Sequence, residues 1–92
     1  KEAIVGERVL FGQGTTIGRK LDPSGVPQVG DDVYISTGAK ILGDIKIGNN
    51  VIIGANAVVI NDVPDNSVVA GVPAKVIKTL DMPIYDLLKN VF

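Results

Sequence analysis

The chain has 92 residues, 46% of them hydrophobic, with 11 glycines, no cysteine, no histidine and a formal net charge of -1. That length is one small domain, and the composition lies outside the disordered class. The charge excludes the basic footprint of a nucleic-acid binder, the lack of cysteine excludes disulfides and thiolate chemistry, and no apolar run reaches the length of a membrane span.

Apolar residues fall on a six-residue grid: Val5, Phe11 and Ile17, then Val29, Ile35, Ile41, Ile47, Ile53 and Val59. A helix repeats every 3.6 residues and a lone strand every 2, so neither produces this spacing. A hexapeptide repeat does, and it is the signature of a parallel β-helix. Each hexad reads as a short strand plus a corner. The corner residue, three after the grid position, is Gly14, Asp32, Gly38, Asp44, Asn50, Asn56 or Asp62, with Arg8 and Lys20 as exceptions. Gly, Asn and Asp tolerate left-handed backbone angles. Three hexads close one triangular coil, giving about three coils stacked at about 4.8 Å. Three inward columns follow: Val5, Val29 and Ile47; Phe11, Ile35 and Ile53; Ile17, Ile41 and Val59. All nine are expected to form the core.

The first repeats occupy residues 5–18. The segment Arg19–Gln28 (RKLDPSGVPQ) then breaks the pattern with two prolines and a Ser-Gly pair, the composition of a loop. Ile17 and Val29 remain two grid steps apart, so the loop bulges from a corner without shifting the register. The repeats resume over residues 29–64. After Val63 the period fails. Pro64–Lys78 reads as a turn, a strand over Ser67–Ala70 and a second extended piece. Pro83 opens a short amphipathic helix, with Ile84, Leu87, Leu88 and Val91 at helical spacing, expected to cap the solenoid. The domain reading is therefore a β-helix over 1–78, N-terminally incomplete because the chain opens inside a repeat, and a tail over 79–92. Leu10, Tyr34, Ile52 and Val58 sit five after grid positions and should point outward, an apolar strip that suits a three-fold interface.

The stretch from Ile47 to Ile77, IGNNVIIGANAVVINDVPDNSVVAGVPAKVI, resembles the hexapeptide-repeat acyltransferases, and its ending DVPDNSVVAGVPAK resembles the closing motif of acetyl-CoA-dependent O-acetyltransferases. GQGTTIG at Gly12–Gly18 and VGDDVYISTGAKILGDIKIG at Val29–Gly48 are similar to serine acetyltransferases and capsular-sugar O-acetyltransferases. The resemblance covers residues 4–78. It implies an all-β, left-handed parallel β-helix and an O-acetyltransferase of the serine or sugar type, of which this chain is the C-terminal acyl-CoA-binding part. It also implies a homotrimer binding acetyl-CoA as co-substrate between subunits, with a small hydroxyl acceptor and no further cofactor or metal. The lack of cysteine fits a cytoplasmic setting, and charge and hydropathy point to no nucleic-acid or membrane partner.

By residue matching, the resemblance places the pantetheine wall on Ser36, Thr37 and Ala55, and the CoA end of the groove near Asn61. Lys75 and Lys78 match positions that would pair with CoA phosphates as point charges. On the acceptor side it points to Gln13, Arg19 and Asp22. The family's catalytic base is a histidine, and this sequence has none. Gln13 aligns with a family histidine but has no titratable group. Glu7 and Asp22 could titrate, though both read as solvated surface carboxylates. The catalytic residue is therefore unknown. Two alternatives stay open: a catalytically silent scaffold, and an amino-sugar N-acetyltransferase.

Overall fold

The computed structural model describes residues 4–18, 26–84 and 86. The first coil is β1 (Ile4–Val5), β2 (Val9–Phe11) and β3 (Thr16–Gly18). The second is β4 (Gln28–Val29), β5 (Val33–Ile35) and β6 (Lys40–Leu42). The third is β7 (Lys46–Ile47), β8 (Val51–Ile53) and β9 (Val58–Val59). Two further strands follow, β10 (Ser67–Ala70) and β11 (Lys75–Thr79).

Equivalent strands stack into three sheets: β1-β4-β7, then β2-β5-β8-β10-β11, then β3-β6-β9. Every pair is parallel except β10–β11, so three hexads do close one coil. The register joins Val5 to Val29 to Ile47, Phe11 to Ile35 to Ile53, and Ile17 to Ile41 to Val59, the three expected columns. Successive coils keep register across the inserted segment too. Residues 19–25 lie outside the described residues, but Pro27 is buried, its carbonyl accepts the Ile4 N–H at 3.0 Å, and Gln28 already belongs to β4.

One expectation needs correction. The inward columns are buried only from the second coil on. Val29, Ile35, Ile41, Ile47, Ile53 and Val59 are buried, whereas Val5 is 40% and Phe11 49% exposed and Ile17 is half-buried, because among the described residues no coil lies over the first one. The period fails at Val63 as expected, but the stacking continues beyond it. Ile47 bridges to Val63, and Ile52 and Ile53 pair with Val68 and Val69, so a fourth rung forms with a corner two residues shorter. Val63, Ser67 and Val69 are buried there.

The corners fall into two kinds. The first corner, between the first and second sheets, carries left-handed residues in all four rungs: Arg8, Asp32, Asn50 and Asn66, with φ from 56° to 59°. Arg8 adopts this angle despite its side chain, and its guanidinium is held by Asp32 one coil below. The second corner uses Gly14, Gly38 and Asn56. At the third corner Asp44 and Asp62 do not take the left-handed angle; Gly43 does, at φ 100°, and Asp62 instead accepts the Lys46 N–H at 2.9 Å.

The described part of the tail lies against the first corner. Leu80 and Ile84 are buried, yet they stand outside the continuous core cluster and are bonded to the first corner. The helix expected from Pro83 falls mostly outside the described residues; within them, the Asp86 N–H donates to the Pro83 carbonyl at 3.0 Å.

Candidate functional site

The second corner assembles most of the expected CoA-binding residues. Gln13, Thr37 and Ala55 occupy equivalent places in successive coils. The Gly38 N–H donates to the Gln13 carbonyl and the Asn56 N–H to the Thr37 carbonyl, each at 2.9 Å. Thr37 and Ala55 are exposed, so the column is a ledge of small side chains with Gln13 at its upper end.

A second column runs beside it. The Gly12 N–H donates to Ile35, the Ser36 N–H to Ile53 and the Gly54 N–H to Val69, which aligns Gly12, Ser36, Gly54 and Ala70. Ala70 pairs with Lys75 across the β10–β11 hairpin, so this column ends on a cation. Glycine at 12 is required by close approach: a Cβ there would lie 2.5 Å from the Thr37 nitrogen. The turn over residues 71–74 closes the corner, with Val58 donating to the Gly71 carbonyl at 3.0 Å and Ala74 to Val58 at 2.8 Å.

The other expected residues sit elsewhere. Lys78 pairs with Val68 and extends the outer column Leu10, Tyr34, Ile52 and Val68 of the second sheet. Val58 does not join that strip; it stands with Thr16 and Lys40 on the third sheet. Asn61 lies on the third corner, across the third sheet from the ledge. Arg19 and Asp22 fall outside the described residues.

Sequence reading missed Lys40. It lies next to Thr16 and Val58 beside the second corner, and its Nζ reaches the Gly38 carbonyl at 3.4 Å. Its grid position marks it as outward-facing, but only the register shows which corner it borders. Within one chain, no described carboxylate belongs to the second corner. Glu7, Asp31, Asp32 and Asp65 are on the first corner, Asp44 and Asp62 on the third, and Asp81 and Asp86 in the tail. Glu7 is engaged by Arg8 at 3.3 Å. The described residues also include no group of three or more carboxylates, histidines or cysteines able to hold a metal.

These coils and corners define the class: a left-handed parallel β-helix built from hexapeptide repeats. The family model described as bacterial transferase hexapeptide (six repeats) matches residues 27–61, so these repeats are those of that family. It is 39% identical over 102 aligned positions to a serine acetyltransferase of Staphylococcus aureus, a match covering 95% of this chain and 48% of that protein. The chain thus spans about half the length of the curated relatives it matches. Among solved structures it is similar to the serine acetyltransferase of Brucella abortus in complex with coenzyme A. That match has a TM-score of 0.81 and 41% identity, covering 85% of this chain and 32% of that one. It is also similar to a hexapeptide-repeat acetyltransferase of Vibrio cholerae complexed with acetyl coenzyme A, with a TM-score of 0.77 and 28% identity over 87% of this chain and 50% of that one.

Proposed function

We propose that this chain is the acyl-CoA-binding part of an acetyl-CoA-dependent O-acetyltransferase of the serine acetyltransferase type. The observation that carries the reading is the second corner, a ledge of small residues running along two columns to Lys75. Pantetheine is a narrow chain with two amides, and small side chains let it approach the backbone closely. Ser36, Thr37 and Ala55 form the wall in this reading, and Lys75 and Lys78 meet the phosphates as point charges. Gln13, at the upper end, orients the acceptor by hydrogen bonds, with Arg19 and Asp22 on the same side. Asn61 joins the groove from a neighbouring subunit in a homotrimer. The apolar column Leu10, Tyr34, Ile52 and Val68 supports that assembly, which sedimentation at micromolar concentration reads directly. A cytoplasmic setting belongs to the same reading. No helix among the described residues is long and apolar enough to cross a membrane.

Acyl transfer to a hydroxyl needs a group to take the acceptor proton. With no His or Cys in the sequence and no described carboxylate on the second corner, this reading places the general base outside these 92 residues. The test is twofold. Calorimetry should show acetyl-CoA binding to this chain. Acetyl transfer to serine, followed by release of free CoA thiol, should be slow with this chain and fast with a longer protein of the length of the serine acetyltransferase relatives. Fast turnover by the 92 residues alone would overturn the division of labour.

The absence of His and Cys favours one second reading, a CoA-binding scaffold without turnover. It predicts that the longer protein also transfers nothing to serine, sugars or amino sugars.

A further inference from the structure

We propose that residues 80–84 form a detachable strap latched to the first corner by Asn50. After β11 the chain turns back along the corner column Asp32, Asn50 and Asn66. The Leu80 N–H donates to the Asn66 carbonyl at 2.7 Å. The side-chain amide of Asn50 then serves the tail with both of its ends. Its Nδ2 donates to the Met82 carbonyl at 3.0 Å and to the Asn66 Oδ1 at 2.8 Å, and its Oδ1 accepts the Ile84 N–H at 2.6 Å. The Met82 carbonyl can only accept and the Ile84 N–H can only donate, so the partners themselves fix the orientation of the amide.

Asn50 reads main chain, so it holds the segment by its path. The side chains of Leu80 and Ile84 supply the apolar seat. Both are buried, yet neither belongs to the core cluster formed by the inward columns. The coils therefore complete their core without the strap. A solvent-open hollow of about 490 Å³ is lined by the strap (Leu80, Met82, Pro83) and the corner (Asp32, Asn50, Asn66) together, so solvent reaches the seam. A segment docked by one side-chain amide, one backbone hydrogen bond and two apolar anchors, outside the cooperative core, belongs to the low-stability end of a protein. It opens while the coils stay folded, and its position decides whether the first corner is covered.

Hydrogen exchange on the full-length protein tests this, with Asn50→Gly and Ile84→Ser as variants. Glycine accepts the φ of 59° at position 50, so that change removes the amide without straining the corner. Ile84→Ser leaves the corner untouched. In both variants the amides of residues 80–84 should exchange at least about tenfold faster, while those of β5 and β8 keep their protection. Unchanged protection of residues 80–84 in Asn50→Gly would overturn the latch. Joint loss of protection in strap and coils in both variants would overturn detachability.

Discussion

The carboxylate of Asp65 occupies the space that a side chain on Gly48 would fill. Asp65 Oδ1 accepts the Asn49 N–H at 2.7 Å, and a Cβ on Gly48 would meet that oxygen and lie 2.7 Å from the Asp65 nitrogen. The same relationship recurs up the first corner. Asn49 Oδ1 accepts the Asp31 N–H and Asp31 Oδ1 accepts the Glu7 N–H, both at 2.8 Å, beside Gly30 and Gly6. These glycines are required by close approach, since none of them carries a positive φ. Gly48→Ala should therefore cost about 1–3 kcal/mol through overpacking and a weakened Asp65 bond. Gly54→Ala should be much milder, because its nearest atoms stand 3.2 and 3.3 Å away. Urea denaturation of the two variants side by side checks the contrast.

Ile53→Asp should prevent folding. Ile53 is fully buried between coils, where a carboxylate finds no partner. Ala57→Phe should do the same by overpacking, since Ala57 is also fully buried. Phe11→Ala, in the same inward column as Ile53 but 49% exposed, should cost well below the roughly 3–5 kcal/mol usual for a buried Phe. Circular dichroism and thermal melts of soluble protein separate these outcomes. A native-like Ile53→Asp variant would mean the columns face outward.

Acid should remove one contribution to stability at the first corner. The guanidinium of Arg8 binds Asp32 through Nε at 2.6 Å and through a second nitrogen at 3.1 Å. That hydrogen bond, followed by the Coulomb attraction of the same guanidinium, holds the Asp32 carboxyl below its ordinary 3.8. A group whose folded value is depressed stabilises above its unfolded value and loses that contribution as pH falls through the folded value. Both side chains are open to solvent, so the effect is small and screened by salt. Asp32→Asn keeps a residue that tolerates the left-handed angle. The melting temperature of the wild type should exceed that of Asp32→Asn at pH 7, with the gap closing below pH 3.8. A gap independent of pH would show that the ion pair contributes nothing.

Lys75→Ala should weaken CoA by roughly tenfold, or about 1.4 kcal/mol, and dephospho-CoA by less. The motivation is its place at the end of the Ser36–Gly54–Ala70 column. Equal losses for the two ligands, measured by calorimetry, would show that Lys75 does not meet the 3′-phosphate.

What the sequence determined alone is the period and everything the period controls. Six-residue spacing of Val, Ile and Phe fixes which side chains turn inward, because one hexad is one side of a triangular coil. The columns and the alignment of Thr37 over Ala55 follow from it, as does the tolerance of the register to the insertion after Gly18. What the tertiary structure decided depends on contacts between coils, which no local pattern encodes. Phe11 and Ile35 look equivalent in sequence, yet only Ile35 has a coil on each side. The fourth rung was hidden because its corner is two residues shorter, which breaks the period while keeping the stacking. Lys75 reads as a lone cation until the antiparallel hairpin sets it beside Ala70. Asn50 reads as a residue tolerant of a left-handed corner, and only the folded tail shows its amide gripping Met82 and Ile84. Burial of an end coil, a shortened corner and a tail's docking seat are set by which surfaces meet, and a linear repeat specifies its own period but not where its neighbours stop.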